Sequence, residues 1–213
     1  MTIRLDWNTD SKGIAFIHIP KTGGTSIEEL LFKEFNPHIT KLRHCPVWRT
    51  DLIPETYYKF AVFRNPYERA WSFYNELYNV IQDNRYQELK GEYEKGFEWL
   101  LENRFDMLLD EEQFPEPFKA RHSQLWWITH NGKLAIDKLL WLDTLDSDFA
   151  HIANKLSTTK TLTVPKVNIG VKRCNSQYTV RAKELVDTYY ADDIEFWKEQ
   201  RQEDPWQDSF YKS

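Results

Sequence analysis

Residues Pro20 to Ser26 read Pro-Lys-Thr-Gly-Gly-Thr-Ser, directly after the apolar run Ile17-His18-Ile19. A strand that opens through paired glycines into a helix is an anion cradle. Glycine lets the backbone approach an oxyanion closely, and the helix directs its first N–H groups at the same point. Lys21 adds a full positive charge beside Thr22, Gly23, Gly24, Thr25 and Ser26. A second basic turn follows the apolar stretch Tyr58 to Phe63, where Arg64-Asn65-Pro66 leads into a segment that contains Arg69, Trp71, Ser72, Phe73 and Tyr74. Two cationic strand-to-helix turns point to a ligand with two separate anionic groups.

The residue order argues against two common nucleotide sites. A P-loop places Lys-Ser or Lys-Thr after its last glycine, so that the lysine reaches the terminal phosphates and the hydroxyl holds magnesium. Here Lys21 precedes the glycines. The dinucleotide fingerprint needs Gly-x-Gly-x-x-Gly, which is also absent.

The elements that position these residues follow from local patterns. Gly13 to Ile19 reads as a buried strand, rich in β-branched residues, and Thr25 or Ser26 as a helix cap with Glu28 or Glu29 at capping-box spacing. Leu30, Leu31 and Phe32 give that helix an apolar face, and Pro37 bounds it. Tyr58 to Phe63 is a second strand, and Asn65 with Pro66 starts a helix that runs through Asn79. If the two strands are parallel neighbours, both basic turns lie on one edge of the sheet. Further on, a helix is expected near Phe97 to Arg104, a turn at Asn131-Gly132, and a strand at Leu139 to Leu142. A helix capped by Asp146 or Ser147 then runs through Leu156, and a last helical stretch covers Thr179 to Glu199. The expected architecture is α/β, a P-loop-like three-layer fold with a central, mostly parallel sheet flanked by helices. One domain spans 1–213, with a helical and loop insertion at about 81–120 that faces the substrate.

Composition narrows the function classes. A net charge of −5 argues against nonspecific nucleic-acid binding, which depends on many Lys and Arg contacts, so no nucleic-acid partner is expected. Cys45 and Cys174 are far apart and make no metal-ligand pattern, so no metal is expected and a reduced setting fits. Met1 to Asp10 has no apolar run, and no window is apolar and long enough to span a bilayer; a soluble, cytoplasmic protein is the expectation. Nine Trp, eleven Tyr and thirteen Phe make an aromatic-rich chain whose large side chains are expected to fill a core before they serve as a stacking surface.

The pair Pro-Lys-Thr-Gly-Gly-Thr-Ser at 20–26 and Arg-Asn-Pro-Tyr-Glu-Arg-Ala-Trp-Ser-Phe-Tyr at 64–74 resembles the two signature motifs of sulfotransferases that use 3′-phosphoadenosine 5′-phosphosulfate (PAPS). The likeness is to the carbohydrate type, including the heparan sulfate and chondroitin enzymes. It is close over the first eighty residues and weaker, though in register, at Asp137 to Phe149, Pro165 to Asn168 and Tyr189 to Phe196. The resemblance implies in-line transfer of a sulfuryl group from PAPS to a hydroxyl of a saccharide acceptor, leaving adenosine 3′,5′-bisphosphate (PAP), without a metal. It implies that Lys21, Thr22, Gly23, Gly24, Thr25 and Ser26 hold the 5′-phosphosulfate, with Lys21 catalytic, and that Arg64 and Ser72 hold the 3′-phosphate. Lys172 and Arg173 are expected to close over the nucleotide. The family's Golgi members carry a membrane anchor, so a soluble bacterial or viral relative is the nearer comparison, and Asp143 stands where relatives often carry Glu.

Transfer to a hydroxyl benefits from a base, and histidine is suited to this near neutral pH. The six candidates are His18, His38, His44, His122, His130 and His151. His18, within the first strand, reads as an inward-facing structural histidine. His44, in Leu-Arg-His-Cys-Pro, resembles the place where related sugar sulfotransferases carry their base, and His122 with Gln124 is the alternative, as base or acceptor contact. Two other functions are compatible with the cradle: a nucleotide kinase-like phosphotransferase and a catalytically silent nucleotide-binding module. The oligomeric state is not specified by the sequence.

Overall fold

The computed structural model describes residues 14–35, 44–49, 53, 55–82, 97–104, 122–155, 164 and 178–207. The chain forms two compact units, one from Met1–Arg64 with Gln124–Ile169, the other from Asn65–Ser123 with Gly170–Ser213. Much of the segment expected as an insertion, and all of 165–177, lies outside the described residues.

The first unit is built on a parallel sheet of β1 (Ile14–Ile17), β2 (Tyr58–Phe63) and β5 (Lys138–Trp141) in the order β1-β2-β5. The register pairs Ile17 with Ala61 and Phe63 with Trp141, so the strands end together on one edge. Residues of both faces of β2 are buried, as in parallel sheets generally, and its sequence is accordingly almost wholly apolar. Phe60, Val62 and Leu140 pack with Ile27, Leu30 and Leu31 of α1 (Gly24–Phe35) and with Leu145, Phe149 and Ile152 of α5 (Leu145–Lys155). Burial of these side chains supplies the unit's main stabilisation, at about 1.5–3 kcal/mol for each fully buried aliphatic or aromatic group. A short helix, α4 (Gln124–Ile128), leads into the hairpin β3 (Thr129–His130) and β4 (Lys133–Leu134), turned by Asn131 and Gly132 at φ 51 and 71. Positive φ at both central residues suits the right-handed twist of a hairpin, as the Asn-Gly pair foretells.

Three expected boundaries shift. Strand β1 is shorter than Gly13 to Ile19, because the chain turns at Ile19, whose N–H bonds to the carbonyl of Ile17 at 3.0 Å. Helix α1 begins at Gly24, so Thr25 and Ser26 sit inside its first turn, while Glu28 turns to His18. Helix α5 begins upstream of Asp146 and Ser147, at Leu145, and Asp148 accepts from Thr144 Oγ1 at 2.8 Å and from the N–H of Trp141 at 3.0 Å, tying the helix start to the end of β5.

The second unit is helical: α2 (Pro66–Gln82), α3 (Phe97–Arg104), α6 (Val180–Tyr189) and α7 (Ala191–Arg201). Asn65 caps α2 as its position before Pro66 predicts, accepting from the N–H of Tyr67 at 3.0 Å and of Glu68 at 3.3 Å. Tyr67, Ala70, Phe97, Leu101, Tyr178, Leu185, Val186, Tyr190 and Ile194 form its core, in which aromatic rings meet edge to face. Arg69 is 1 % exposed and lies 5.8 Å from the centre of the Tyr190 ring, a cation–π contact. The expected single C-terminal helix is two: the backbone leaves helical geometry at Tyr190, φ −119 and ψ 29, whose ring is buried in the core.

Candidate functional site

The loop from His18 to Gly24 is shaped by its backbone. Thr22 is fully buried, and its hydroxyl donates to the carbonyl of Ile19 at 2.8 Å, folding the loop back on the end of β1. Lys21 at φ 70 and Gly23 at φ 79 both adopt the left-handed region, which glycine tolerates and lysine rarely does. A Cβ on Gly23 would lie 2.7 Å from Leu142 Cδ1, and one on Gly24 would lie 2.0 Å from His18 Cδ2. At Gly24 the His18 ring leaves no space for a side chain, and at Gly23 the positive φ disfavours one, so the turn into α1 is made by two glycines. Ser26 N–H bonds to the carbonyl of Gly23 at 3.1 Å, tightening that turn.

Among the described residues, four non-glycine residues have positive φ: Lys21, His44, Asn131 and Gln202. Asn131 is a hairpin turn and Gln202 a helix C-cap, roles that ordinarily use this conformation. Lys21 and His44 have neither role, and strained backbone of this kind concentrates at functional sites.

The second basic turn reaches the first. Arg64 follows β2 immediately, and its Nη1 donates to the carbonyl of Lys21 at 3.3 Å. Its own backbone is held by Gln124, which is 0 % exposed: the amide oxygen accepts from Arg64 N–H at 2.8 Å, and the amide nitrogen donates to Arg64 carbonyl at 2.8 Å. This two-point clamp continues the pairing of β2 by one side chain. Gln124 therefore holds the Arg64 backbone, a role its type and place in the sequence do not reveal.

His44 is half-buried and meets the same edge. Its ring centre lies 4.7 Å from that of His18, at 58°, and 6.3 Å from Trp127, edge to face. The segment is anchored by Val47, whose N–H donates to the carbonyl of Trp127 at 2.9 Å, and by Trp48, whose ring meets Trp126 at 5.5 Å. His18, buried at the end of β1, gives Glu28 Oε1 a hydrogen bond from Nδ1 at 2.8 Å. It is satisfied, as its place in the strand suggests. Its acidic partner was not legible as such, although Gly24 and Glu28 are one helical turn apart and so share a face.

The first unit thus brings together Lys21, Thr22, Gly23, Gly24, Thr25, Ser26, Arg64 and His44 at one sheet edge. Ser72, half-buried on α2, and His122, also half-buried, belong to the second unit. Lys172 and Arg173 lie outside the described residues. Asp143 is exposed just beyond β5. Among the described residues no group of three or more His, Cys, Asp and Glu is placed to hold a metal ion, and no helix is long and apolar enough to cross a membrane.

Comparison with known proteins adds one finding. The family model described as "Sulfotransferase family" matches residues 7–202, nearly the whole chain. No curated protein and no solved structure matches it.

Proposed function

The chain belongs to the sulfotransferase family, and we propose that it moves a sulfuryl group from PAPS to a hydroxyl of a saccharide acceptor. The observation that carries the choice of donor is the hydrogen bond from Arg64 to the Lys21 carbonyl at 3.3 Å, which joins two cationic turns at the ends of adjacent parallel strands. A donor with anionic groups at both its 5′ and 3′ positions matches two such turns. A mononucleotide with phosphate at one end leaves one of them without a purpose.

When bound, PAPS supplies the electrophilic sulfur and a nucleotide phosphate as leaving group. Its 5′-phosphate is assigned to the first N–H groups of α1, which attract anions, while the space that side chains at Gly23 and Gly24 would take is filled by Leu142 and His18. Lys21 lies in the same loop and offsets negative charge as it develops on the leaving oxygen, a term that matters most in the transition state. Thr25 and Ser26 offer hydroxyl donors. Arg64 is assigned to the 3′-phosphate, for which a planar guanidinium can donate two bonds at once; the matching role of Ser72 stands on the sequence motif alone. His44 takes the acceptor's proton.

The test is thermal melting with PAP and AMP at equal concentrations. A ligand at a hundredfold its dissociation constant stabilises the native state by about 2.7 kcal/mol. PAP should raise the melting temperature clearly and AMP much less. Equal shifts would contradict the assignment of Arg64.

A further inference from the structure

We propose that Glu28 and His18 are positioning residues for His44, a locked imidazole that fixes the base against the donor loop. The inference rests on the reading of His44 as the base. It begins from a buried ionisable pair that no step above uses: His18 Nδ1 and Glu28 Oε1 at 2.8 Å, both side chains nearly out of solvent. A carboxylate is an acceptor, so the bond places the proton on Nδ1 and fixes both the tautomer and the plane of the ring.

Three neighbours hold that plane. Phe16 stacks on the His18 ring at 5.6 Å and 20°, continuing the strand face on which both residues lie. Gly24 lies against the ring's Cδ2–Nε2 edge, with room for no Cβ. Glu28, four residues on from Gly24, closes on Nδ1 from the same helix face. The helix that opens the cradle therefore clasps the imidazole with its first residue and its fifth. His44 leans on this ring at 4.7 Å while its own backbone is held in the left-handed region. A histidine on a loop needs such support, because a base a fraction of an ångström out of place loses much of its effect. The same clasp ties the base to the loop that carries Lys21, so one rigid unit holds both groups.

The experiment uses the full chain with Glu28→Met, which keeps volume and removes the acceptor, and Glu28→Gln, which restores an acceptor oxygen at the same reach. Three readouts are taken: turnover at saturating PAPS and a saccharide acceptor, the PAP melting shift, and the His44 ring signals in long-range proton–nitrogen NMR, assigned with His44→Asn. Misplacing a catalytic group by about 1 Å can cost on the order of 10²-fold in rate. Glu28→Met should lose turnover on that scale and displace the His44 signals while the PAP shift stays near wild type, and Glu28→Gln should recover most of both. A merely structural role would instead lower the melting temperature and leave the His44 signals in place in folded protein. If Glu28→Met does not fold, Glu28→Asp decides: its shorter reach must turn the ring, so displaced His44 signals support the inference and unmoved ones overturn it. Wild-type protein that transfers no sulfate, yet shows displaced His44 signals in the variants, would retain this coupling and refute the proposed activity.

Discussion

Gly24→Ala tests the geometry of the loop at its tightest point. A methyl there would stand 2.0 Å from His18 Cδ2, 2.2 Å from Nε2 and 2.7 Å from Cγ, far inside van der Waals contact. The ring cannot swing away cheaply, since Glu28 holds Nδ1 at 2.8 Å and Phe16 stacks on its face. Overpacking of this kind costs about 1–3 kcal/mol. Alanine in place of glycine in a helix interior returns roughly 0.5–1 kcal/mol, and less in a first turn, where Gly24 sits. A net loss of about 1–2 kcal/mol is expected, and for a chain of this size each kcal/mol corresponds to about 2–4 °C in melting temperature. The assay is thermal unfolding of wild type and Gly24→Ala, followed by circular dichroism and with PAP as a second condition. PAP stabilisation should also shrink, because relief of the clash must move either the imidazole or the start of α1. A variant as stable as wild type, with an unchanged PAP shift, would refute the placement of His18 over Gly24.

Lys21→Ala should lower single-turnover transfer more than it weakens PAP binding, since its proposed partner is charge that grows in the transition state; weaker binding at an unchanged rate would make Lys21 a docking residue only. Gln124→Leu strips both bonds from the Arg64 backbone and should cost about 1–3 kcal/mol for each polar group left unsatisfied, read from chemical denaturation. An unchanged midpoint would show that Gln124 does not hold Arg64. The Tyr58 hydroxyl has its pKa raised by burial and then by the nearby Asp137 carboxylate. Its folded form therefore keeps the proton longer than the unfolded chain, and stability should fall as pH rises above 10 in wild type but less so in Tyr58→Phe.

The parts of the fold written in strong local signals were legible in the sequence. Strand β2 matches its apolar run from Tyr58 to Phe63, and α2 starts where Asn65 and Pro66 announce it. Helix α3 and the Asn131-Gly132 turn were likewise visible. The start of α1 was not, because hydroxyl residues normally mark a cap and here the turn is made by positive φ at Lys21 and Gly23. The split between α6 and α7 also escaped local reading: the residues around Tyr190 carry no proline or glycine, and the break coincides with a ring buried in the helical core. For the site, the glycines and cations were readable from order and spacing. Gln124 and Glu28 were not, since their partners lie across the fold and each resembles an ordinary helix residue.

Two questions decide the function: whether this chain transfers sulfate and whether His44 takes the proton. One measurement addresses both: transfer of radiolabelled sulfate from PAPS to a panel of saccharides by wild type, His44→Ala and His122→Ala, at saturating donor. Wild type should label a saccharide, His44→Ala should fall by about 10²–10⁴-fold, the scale of a lost general base, and His122→Ala should fall far less. Absence of labelled saccharide with wild type would contradict the proposed activity, and a His44→Ala variant near wild type while His122→Ala is inactive would contradict the assignment of His44 as the base.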